Sequence, residues 1–138
     1  KLRELGNEYG ATTGRPRRCG WLDLPALRYS LQVGGVNTIA LTKIDVLDGM
    51  DELKICTQYE YRGERYETLP TADAAFMAEA KPIYKSLPIW DAPTFGVDDF
   101  DAFPAKAQDY VMFIEESVGV PVEIISNGPA RDEVVYRG

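Results

Sequence analysis

The amino-acid sequence predicts an α/β fold, in which a mainly parallel sheet is flanked by helices and carries a β-hairpin. Helix-like and strand-like segments alternate along most of the chain, which is the pattern of α/β proteins. The run Val120–Ile125 reads as a fully buried strand of a parallel sheet. Arg62-Gly63 lies between two β-rich runs and indicates the antiparallel hairpin. The 138 residues are enough for one hydrophobic core, so we expect a single domain over residues 1–138.

The first 21 residues contain the end of a helix and a long loop. Lys1–Leu5 is typical of a last helical turn, which Gly6-Asn7 ends. Because the chain begins with Lys rather than Met, we expect it to be a segment of a longer protein. Tyr9–Trp21 holds three glycines, two threonines and three arginines without an apolar period, and this composition predicts a cationic loop.

A helix and a strand follow the loop. Asp23 is placed to cap a helix over residues 25–33, which begins with proline and ends at Gly34-Gly35. Val36–Leu41 is a short β-rich run, so it predicts a strand. Thr42–Met50 continues from this strand as a loop.

The middle of the chain predicts a hairpin and then an irregular segment. Leu53–Tyr61 and Arg65–Thr68 are the two arms of the hairpin. Pro70–Pro104 contains five prolines, which argues for an ordered excursion over the surface with at most a short helix around Ala72–Glu79; the alternative is a flexible insertion.

The last third of the chain predicts a helix, a strand, a loop and a strand in that order. Ala105–Ser117 has apolar residues at the spacing of an amphipathic helix, and Gly119 ends it. After the Val120–Ile125 strand, Ser126–Ala130 is rich in turn residues, and Glu133–Tyr136 is the last strand.

Charge and composition exclude several classes of function. Lys and Arg number 15 against 22 Asp and Glu, so the net charge of −7 argues against a nucleic-acid or membrane partner. Cys19 and Cys56 lack the spacing of a zinc site and suit a cytoplasmic protein. Asp48 and Asp51 lack the further carboxylates of a calcium loop, so we expect no metal site. The chain has no histidine, the commonest general acid–base residue near neutral pH.

The loop Gly10–Trp21 has the residue types of an anion-binding loop. Its glycines let backbone amides approach a ligand, its threonine hydroxyls can bond oxygens, and its arginines can hold a carboxylate or phosphate through two hydrogen bonds. The alternative is a solvated basic loop that pairs with the acidic surplus elsewhere.

Two shorter loops offer groups that suit a guanine base. In Thr42-Lys43-Ile44-Asp45 the Asp45 carboxylate can accept from the N1–H and the N2 amine together, while the Lys43 stem lies along the ring face. In Ser126-Asn127-Gly128-Pro129 the backbone amides and the Ser126 hydroxyl can contact a base or ribose edge. The alternatives are a salt bridge at a strand end for the first loop and a simple turn for the second.

The three loops together resemble the adenylosuccinate synthetase family. Gly6–Asp23, with the sequence GNEYGATTGRPRRCGWLD, is similar to the family's aspartate-binding loop. Leu41–Gly49, LTKIDVLDG, is similar to its guanine-recognition segment, and Ile125–Pro129, ISNGP, to its second guanine loop. The motifs stand in the family's order, and the resemblance covers essentially the whole chain.

The resemblance implies a reaction and a set of site residues. The family joins inosine monophosphate (IMP) to L-aspartate using GTP and Mg²⁺: GTP phosphorylates the purine 6-oxygen, and the aspartate amine then displaces that phosphate. The implied aspartate and IMP site is Ala11, Thr12, Thr13, Gly14, Arg15, Pro16 and Arg17, with Arg15 between aspartate and the nucleotide monophosphate. The implied GTP site is Arg17, Lys43, Ile44, Asp45, Ser126, Asn127 and Gly128.

The resemblance also implies what this chain lacks. The family's phosphate loop, its Mg²⁺ site and its catalytic aspartate and histidine belong to the amino-terminal part, so we expect a P-loop-NTPase-like fold without its amino-terminal half and no catalytic residue here. The complete protein is expected to be a homodimer. A non-catalytic module that binds guanine nucleotides is the alternative. Ile89 stands where the family has Gly, and Asn127 where it has Thr, which affects only local loop shape.

Overall fold

The computed structural model describes residues 1–70 and 73–137. Its helices are α1 (Leu2–Leu5), α2 (Leu24–Gly34), α3 (Ala74–Glu79) and α4 (Ala105–Val118), with short 3₁₀ turns at Ile44–Leu47 and Phe100–Ala102. Its strands are β1 (Leu22–Asp23), β2 (Ile39–Leu41), β3 (Leu53–Tyr61), β4 (Glu64–Tyr66), β5 (Lys81–Leu87), β6 (Val122–Ser126) and β7 (Val134–Tyr136). Ala72, the predicted start of a helix, lies outside the described residues.

The strands form two mixed sheets rather than one mainly parallel sheet. In the first, β3 pairs in parallel with β1 and antiparallel with β4 and β5. In the second, β6 pairs in parallel with β2 and antiparallel with β7. The α/β class is confirmed, but the predicted excess of parallel pairing is not found, because short loops join β3 to β4 and β6 to β7 and a short loop permits only antiparallel pairing.

The strand β5 is a correction to the irregular segment predicted between the hairpin and α4. Lys81–Leu87 pairs with β3 along seven register positions, from Leu87 opposite Leu53 to Lys81 opposite Glu60. Most of its side chains are exposed, so the strand lacks a clear apolar alternation. Pro82 is tolerated because β5 pairs on one side only among the described strands, and a proline without an N–H fits such an edge.

The two long helices begin and end close to the predicted residues. The Asp23 side chain caps α2 by accepting from the Ala26 N–H at 2.9 Å, and Gly35 ends it in the left-handed conformation, with φ of 59°. Gly119, with φ of 70°, ends α4 in the same way. None of the described helices is long and apolar enough to cross a membrane.

One hydrophobic core joins the two sheets. The buried face of α4, formed by Ala107, Tyr110, Val111 and Ile114, belongs to the same cluster as Ile55 of β3. That cluster also contains residues of β6 and the buried Trp90. The burial of Tyr110 raises the pKa of its hydroxyl to about 12, so this ring stays neutral in the core. The core therefore fixes β2 and β6 side by side, with their carboxyl ends at one edge.

Candidate functional site

The loops that follow β2 and β6 meet at one edge of the second sheet. Leu41 is paired with Ile125 in the parallel register, so the segments beginning at Thr42 and Ser126 leave the sheet together. The Ser126 hydroxyl oxygen accepts a hydrogen bond from the backbone N–H of Lys43 at 2.9 Å. The structure thus brings together two loops that the sequence singled out separately, at the strand ends where ligands of open α/β sheets collect.

Lys43 begins the 3₁₀ turn Ile44–Leu47 in a conformation that is unusual for a residue with a side chain. Its φ of 63° lies in the left-handed region, which costs about 1 kcal/mol for an ordinary residue. The bond from its N–H to Ser126 offsets part of this cost. Its ammonium donates to the Gly6 carbonyl and to the Glu8 carboxylate, both at 2.5 Å. Lys43 is therefore held at its backbone N–H and at its ammonium group. Its aliphatic stem borders the opening between the loops that follow β2 and β6, here called the loop mouth.

Asp45 carries an acceptor that the described residues leave without a donor. Its Oδ1 is buried and makes no hydrogen bond. Burial, together with the nearby charges of Asp48 and Glu133, raises the pKa of Asp45 above its usual value. A buried acceptor without a partner calls for an explanation, and a ligand that offers N–H donors supplies one.

Glu8 connects the cationic loop to the Lys43 turn. Its carboxylate is 3.0 Å from Nη1 of Arg17 and 2.5 Å from Nζ of Lys43. The hydrogen bonds from Lys43 and Arg17 lower the pKa of Glu8, so it remains ionised. The sequence analysis did not single out Glu8, since no spacing in the chain links it to a residue 35 positions away.

The cationic loop is closed at its base and open at its tip. Tyr9 and Pro16 form an isolated antiparallel bridge, and the Gly10 N–H donates to the Arg15 carbonyl at 2.8 Å. Gly14 has φ of 64°, which glycine adopts without strain. All residues from 11 to 20 are exposed, and an open depression of about 760 Å³ is lined by Gly10, Thr13, Arg15, Pro16, Arg17 and Arg18.

Arg15 distinguishes the two interpretations of this loop. Its guanidinium makes no ion pair or hydrogen bond with the described residues, whereas Arg17 is paired with Glu8. If the loop only neutralised the acidic surplus of the chain, Arg15 would also have a carboxylate partner. An unpaired guanidinium that lines the same open depression as Thr13 favours an anion-binding loop.

The side chain of Asn127 bonds a neighbouring segment of the chain. Its side chain is only 1% exposed, and its Nδ2 donates to the carbonyls of Thr94 and Val97, at 2.7 Å each. The amide therefore holds a neighbouring segment and does not face the loop mouth. The other residues of this loop also have partners. Ser126 is hydrogen-bonded to Lys43, and Gly128 packs against the side chain of Glu133.

The chain has clear relatives among known proteins. The family model described as adenylosuccinate synthetase matches residues 1–135. The chain belongs to the adenylosuccinate synthetase family. It is 53% identical over 136 residues to adenylosuccinate synthetase of Aquifex aeolicus, and 51% identical over 137 residues to that of Chlorobaculum parvum. In each case the match covers 99% of this chain and 31% of the relative, so the chain spans about a third of the length of these proteins.

A solved structure of the family has the same fold. Fully ligated adenylosuccinate synthetase from Plasmodium falciparum superposes with a TM-score of 0.93 at 35% sequence identity. The match covers 99% of this chain and 33% of the Plasmodium chain. The mixed sheets and their loops are therefore a shared architecture of the adenylosuccinate synthetases.

The segment Trp90–Val97, which no pattern in the sequence singled out, lies against the loops that contain Asp48 and Asn127. Asp48, considered and rejected as a metal ligand, accepts from the Trp90 indole N–H at 2.6 Å and from the Thr94 N–H at 2.8 Å. The turn residues Phe95-Gly96 were the available signal, because glycine is favoured at the third position of such a turn. Ile89, where the adenylosuccinate synthetases were expected to have Gly, packs against the core.

Proposed function

We propose that this chain supplies the guanine- and aspartate-binding loops of a GTP-dependent ligase, which joins IMP and L-aspartate to give adenylosuccinate, GDP and phosphate. Membership of the adenylosuccinate synthetase family supports this function. The observation that carries the assignment is the Asp45 oxygen Oδ1. It is buried at the edge where β2 and β6 end, and no donor among the described residues bonds it.

The chemistry of guanine matches this acceptor. The base has two adjacent donors on one edge, N1–H and the N2 amine, and one carboxylate can accept both. Hydrogen bonds to an ionised acceptor are stronger than neutral ones, which makes Asp45 a discriminating group. The Lys43 stem, held by Gly6 and Glu8, lies beside the same mouth and can cover the ring face.

The cationic loop suits the amino-acid substrate. Arg15 is exposed and unpaired among the described residues, so it can take a carboxylate of aspartate through two parallel hydrogen bonds. Thr12 and Thr13 can donate hydroxyl hydrogens to the same anion. Arg17, in the same loop, shares its partner Glu8 with Lys43. This pairing holds Arg17 near Lys43, where it can reach the GTP.

The reaction divides between this chain and the rest of the proposed enzyme. The γ-phosphoryl group leaves GTP and bonds to the purine 6-oxygen; the aspartate nitrogen then bonds to C6 as the C6–O bond breaks and phosphate departs. This chain binds and orients the guanine and the aspartate. With no histidine in the sequence, we propose that the acid–base residues and the phosphate loop of a P-loop-like fold lie elsewhere in a cytoplasmic homodimer.

Magnesium has no site of the usual kind in the described part of this chain. Across residues 1–70 and 73–137, no three Asp, Glu, His or Cys side chains are grouped as metal ligands. We propose that Mg²⁺ is held outside this chain, where it would neutralise the charge of the transferred phosphoryl group.

The test is the base preference of the complete protein. Asp45→Asn replaces one acceptor by a donor that faces N1–H or the amine, so KM for GTP should rise by about 100-fold, with a smaller effect on ITP, which lacks the amine. Asp51→Asn is the matched control, because its carboxylate is 86% exposed and, within the described part of the chain, pairs with Lys1 alone.

Two outcomes would contradict the proposal. Equal affinities for GTP and ITP in the parent protein would remove the base-reading role of Asp45. If the complete protein binds GTP but forms no adenylosuccinate from IMP, aspartate and Mg²⁺, the non-catalytic guanine-nucleotide module is the correct alternative.

A further inference from the structure

Asp48 is an anchor between two segments that are 46 residues apart in the chain. Besides the Trp90 indole and the Thr94 N–H, its carboxylate accepts from the Thr94 hydroxyl at 3.0 Å and from the Phe95 N–H at 3.2 Å. Thr94 is 0% exposed. A carboxylate that accepts several hydrogen bonds, including those from a buried residue, is held in one position.

Asn127 holds the same segment from the opposite side. Residues 94–97 form a turn in which the Val97 N–H donates to the Thr94 carbonyl at 3.3 Å and Gly96, at the third position, has φ of 76°. The two hydrogens of Asn127 Nδ2 bond the first and last carbonyls of that turn. The turn is thus gripped by Asp48 through its N–H groups and by Asn127 through its carbonyls.

These contacts close a ring of three segments. Asp48 joins residues 42–48 to residues 90–97, and Asn127 joins residues 90–97 to residues 126–128. The bond from Lys43 to Ser126 returns from residues 126–128 to residues 42–48. Each segment is therefore held by both of the others.

Asp45 lies within this ring, at the start of the 3₁₀ turn that Asp48 ends. The Asp48 N–H donates to the Asp45 carbonyl at 3.0 Å, so the two residues share one turn of backbone. Lys43 is bonded to Ser126 before Asp45, and Asp48 is bonded to Thr94 after it, so the turn that carries the Asp45 carboxylate is held at both ends.

We infer that Trp90–Val97 is a third component of the base-reading site and that Asp48 is the positioning residue through which it fixes the direction of Asp45. This inference rests on the proposed reading of guanine by Asp45. In this role Asp48 does not contact the base; it acts through the backbone turn that it shares with Asp45. Asn127 supports it by holding the far side of the same segment.

The experiment is Asp48→Asn in the complete protein. The amide keeps the shape of the side chain but turns an –NH₂ group toward the N–H donors of Thr94 and Phe95, which weakens the anchor. We expect the preference for GTP over ITP, measured as the ratio of kcat/KM values, to fall about tenfold or more, because a small misplacement of a recognition group has effects of this size. KM for IMP and for aspartate should stay within about twofold.

A milder variant and a control complete the test. Thr94→Val removes the hydroxyl bond to Asp48 while keeping the backbone N–H, so it should lower the same ratio by a smaller factor even if Asp48→Asn does not fold. Asp98→Asn changes an exposed aspartate next to the segment and should leave the ratio unchanged. A purely structural role would lower the unfolding temperature of the variants but leave the GTP to ITP ratio at the parent value.

The outcomes separate this inference from the proposed function. If the parent prefers GTP and Asp45→Asn abolishes that preference, while Asp48→Asn and Thr94→Val keep it, the positioning role is wrong and the proposed function stands. If the parent does not distinguish GTP from ITP, both fail. A lower ratio in Asp48→Asn with unchanged KM for aspartate supports the inference.

Discussion

Replacing Gly128 by alanine should open the third loop. The added Cβ would lie 2.5 Å from Cδ and 3.0 Å from Cβ of Glu133, and closer still to its Oε2. The carboxylate can rotate away, but the Glu133 Cβ is attached to a backbone that accepts from the Asn127 N–H at 3.1 Å. Relief of the clash therefore requires both a new side-chain position and a small shift of the loop.

The size of the effect follows from the bonds that must change. The Glu133 carboxylate accepts from the Ala130 N–H at 2.6 Å, and a hydrogen bond to a charged group contributes about 1.5–3 kcal/mol. Weakening the neutral Asn127–Glu133 backbone bond adds about 1 kcal/mol at most. We expect the free energy of unfolding to fall by about 2–4 kcal/mol, and KM for GTP to rise by about tenfold because Ser126 moves with the loop.

Urea unfolding of the complete protein measures the stability, and steady-state kinetics measure KM. Gly20→Ala is the matched control, since an added Cβ there meets no atom within 4 Å. In a double-mutant cycle with Glu133→Ala, most of the clashing atoms are gone, so alanine at position 128 should be less destabilising than in the parent. An equal loss in both backgrounds, or no loss in the parent, would refute the steric argument.

Three further predictions follow from neighbouring contacts. Glu8→Gln should raise KM for GTP, because Lys43 loses the charge that holds it; an unchanged KM in steady-state kinetics would contradict this. Burial raises the pKa of Asp45, so the ratio of the affinity for GTP to that for ITP should fall as the pH is lowered through this pKa and the carboxyl becomes neutral. Comparing the two nucleotides cancels the titration of the triphosphate. A ratio that does not change with pH would contradict the prediction. Asp23→Ala should lower the free energy of unfolding by about 2–3 kcal/mol in urea titrations, because the α2 cap is lost and the Tyr59 hydroxyl, 2.5 Å from the carboxylate, loses its acceptor. Asp23→Asn, which keeps the cap, should lose less.

The helices could be predicted because their signals are local. Asp23, Gly35 and Gly119 are a cap and two stops that act on adjacent backbone, and the structure places α2 and α4 within about a residue of the expected ends. The strand β5 could not be predicted in the same way. Its pairing with β3 is a tertiary contact, and an exposed edge strand has little need of apolar alternation.

The candidate site could be predicted as loops but not as an assembly. The residue types around Arg15 and Asp45 suggested their ligands, because guanidinium and carboxylate chemistry can be read from the sequence. The roles of Glu8, Asp48 and Asn127 depend on partners 30 to 47 residues away, and no spacing in the chain encodes them. The burial of the Asn127 side chain against residues 94–97 is of this kind.

The hydrogen-bonded ring also has a consequence for engineering. On the proposed site, a change of base preference by transplanting residues 42–48 alone is expected to fail, because these residues are bonded to residues 90–97 and 126–128, which are bonded to each other. A chimaera must exchange all three stretches together, with the anchoring side chains of Asp48 and Asn127 matched to the incoming turn. When the genes of distant relatives are recombined, we therefore expect nucleotide preference to be preserved only if all three stretches come from the same parent.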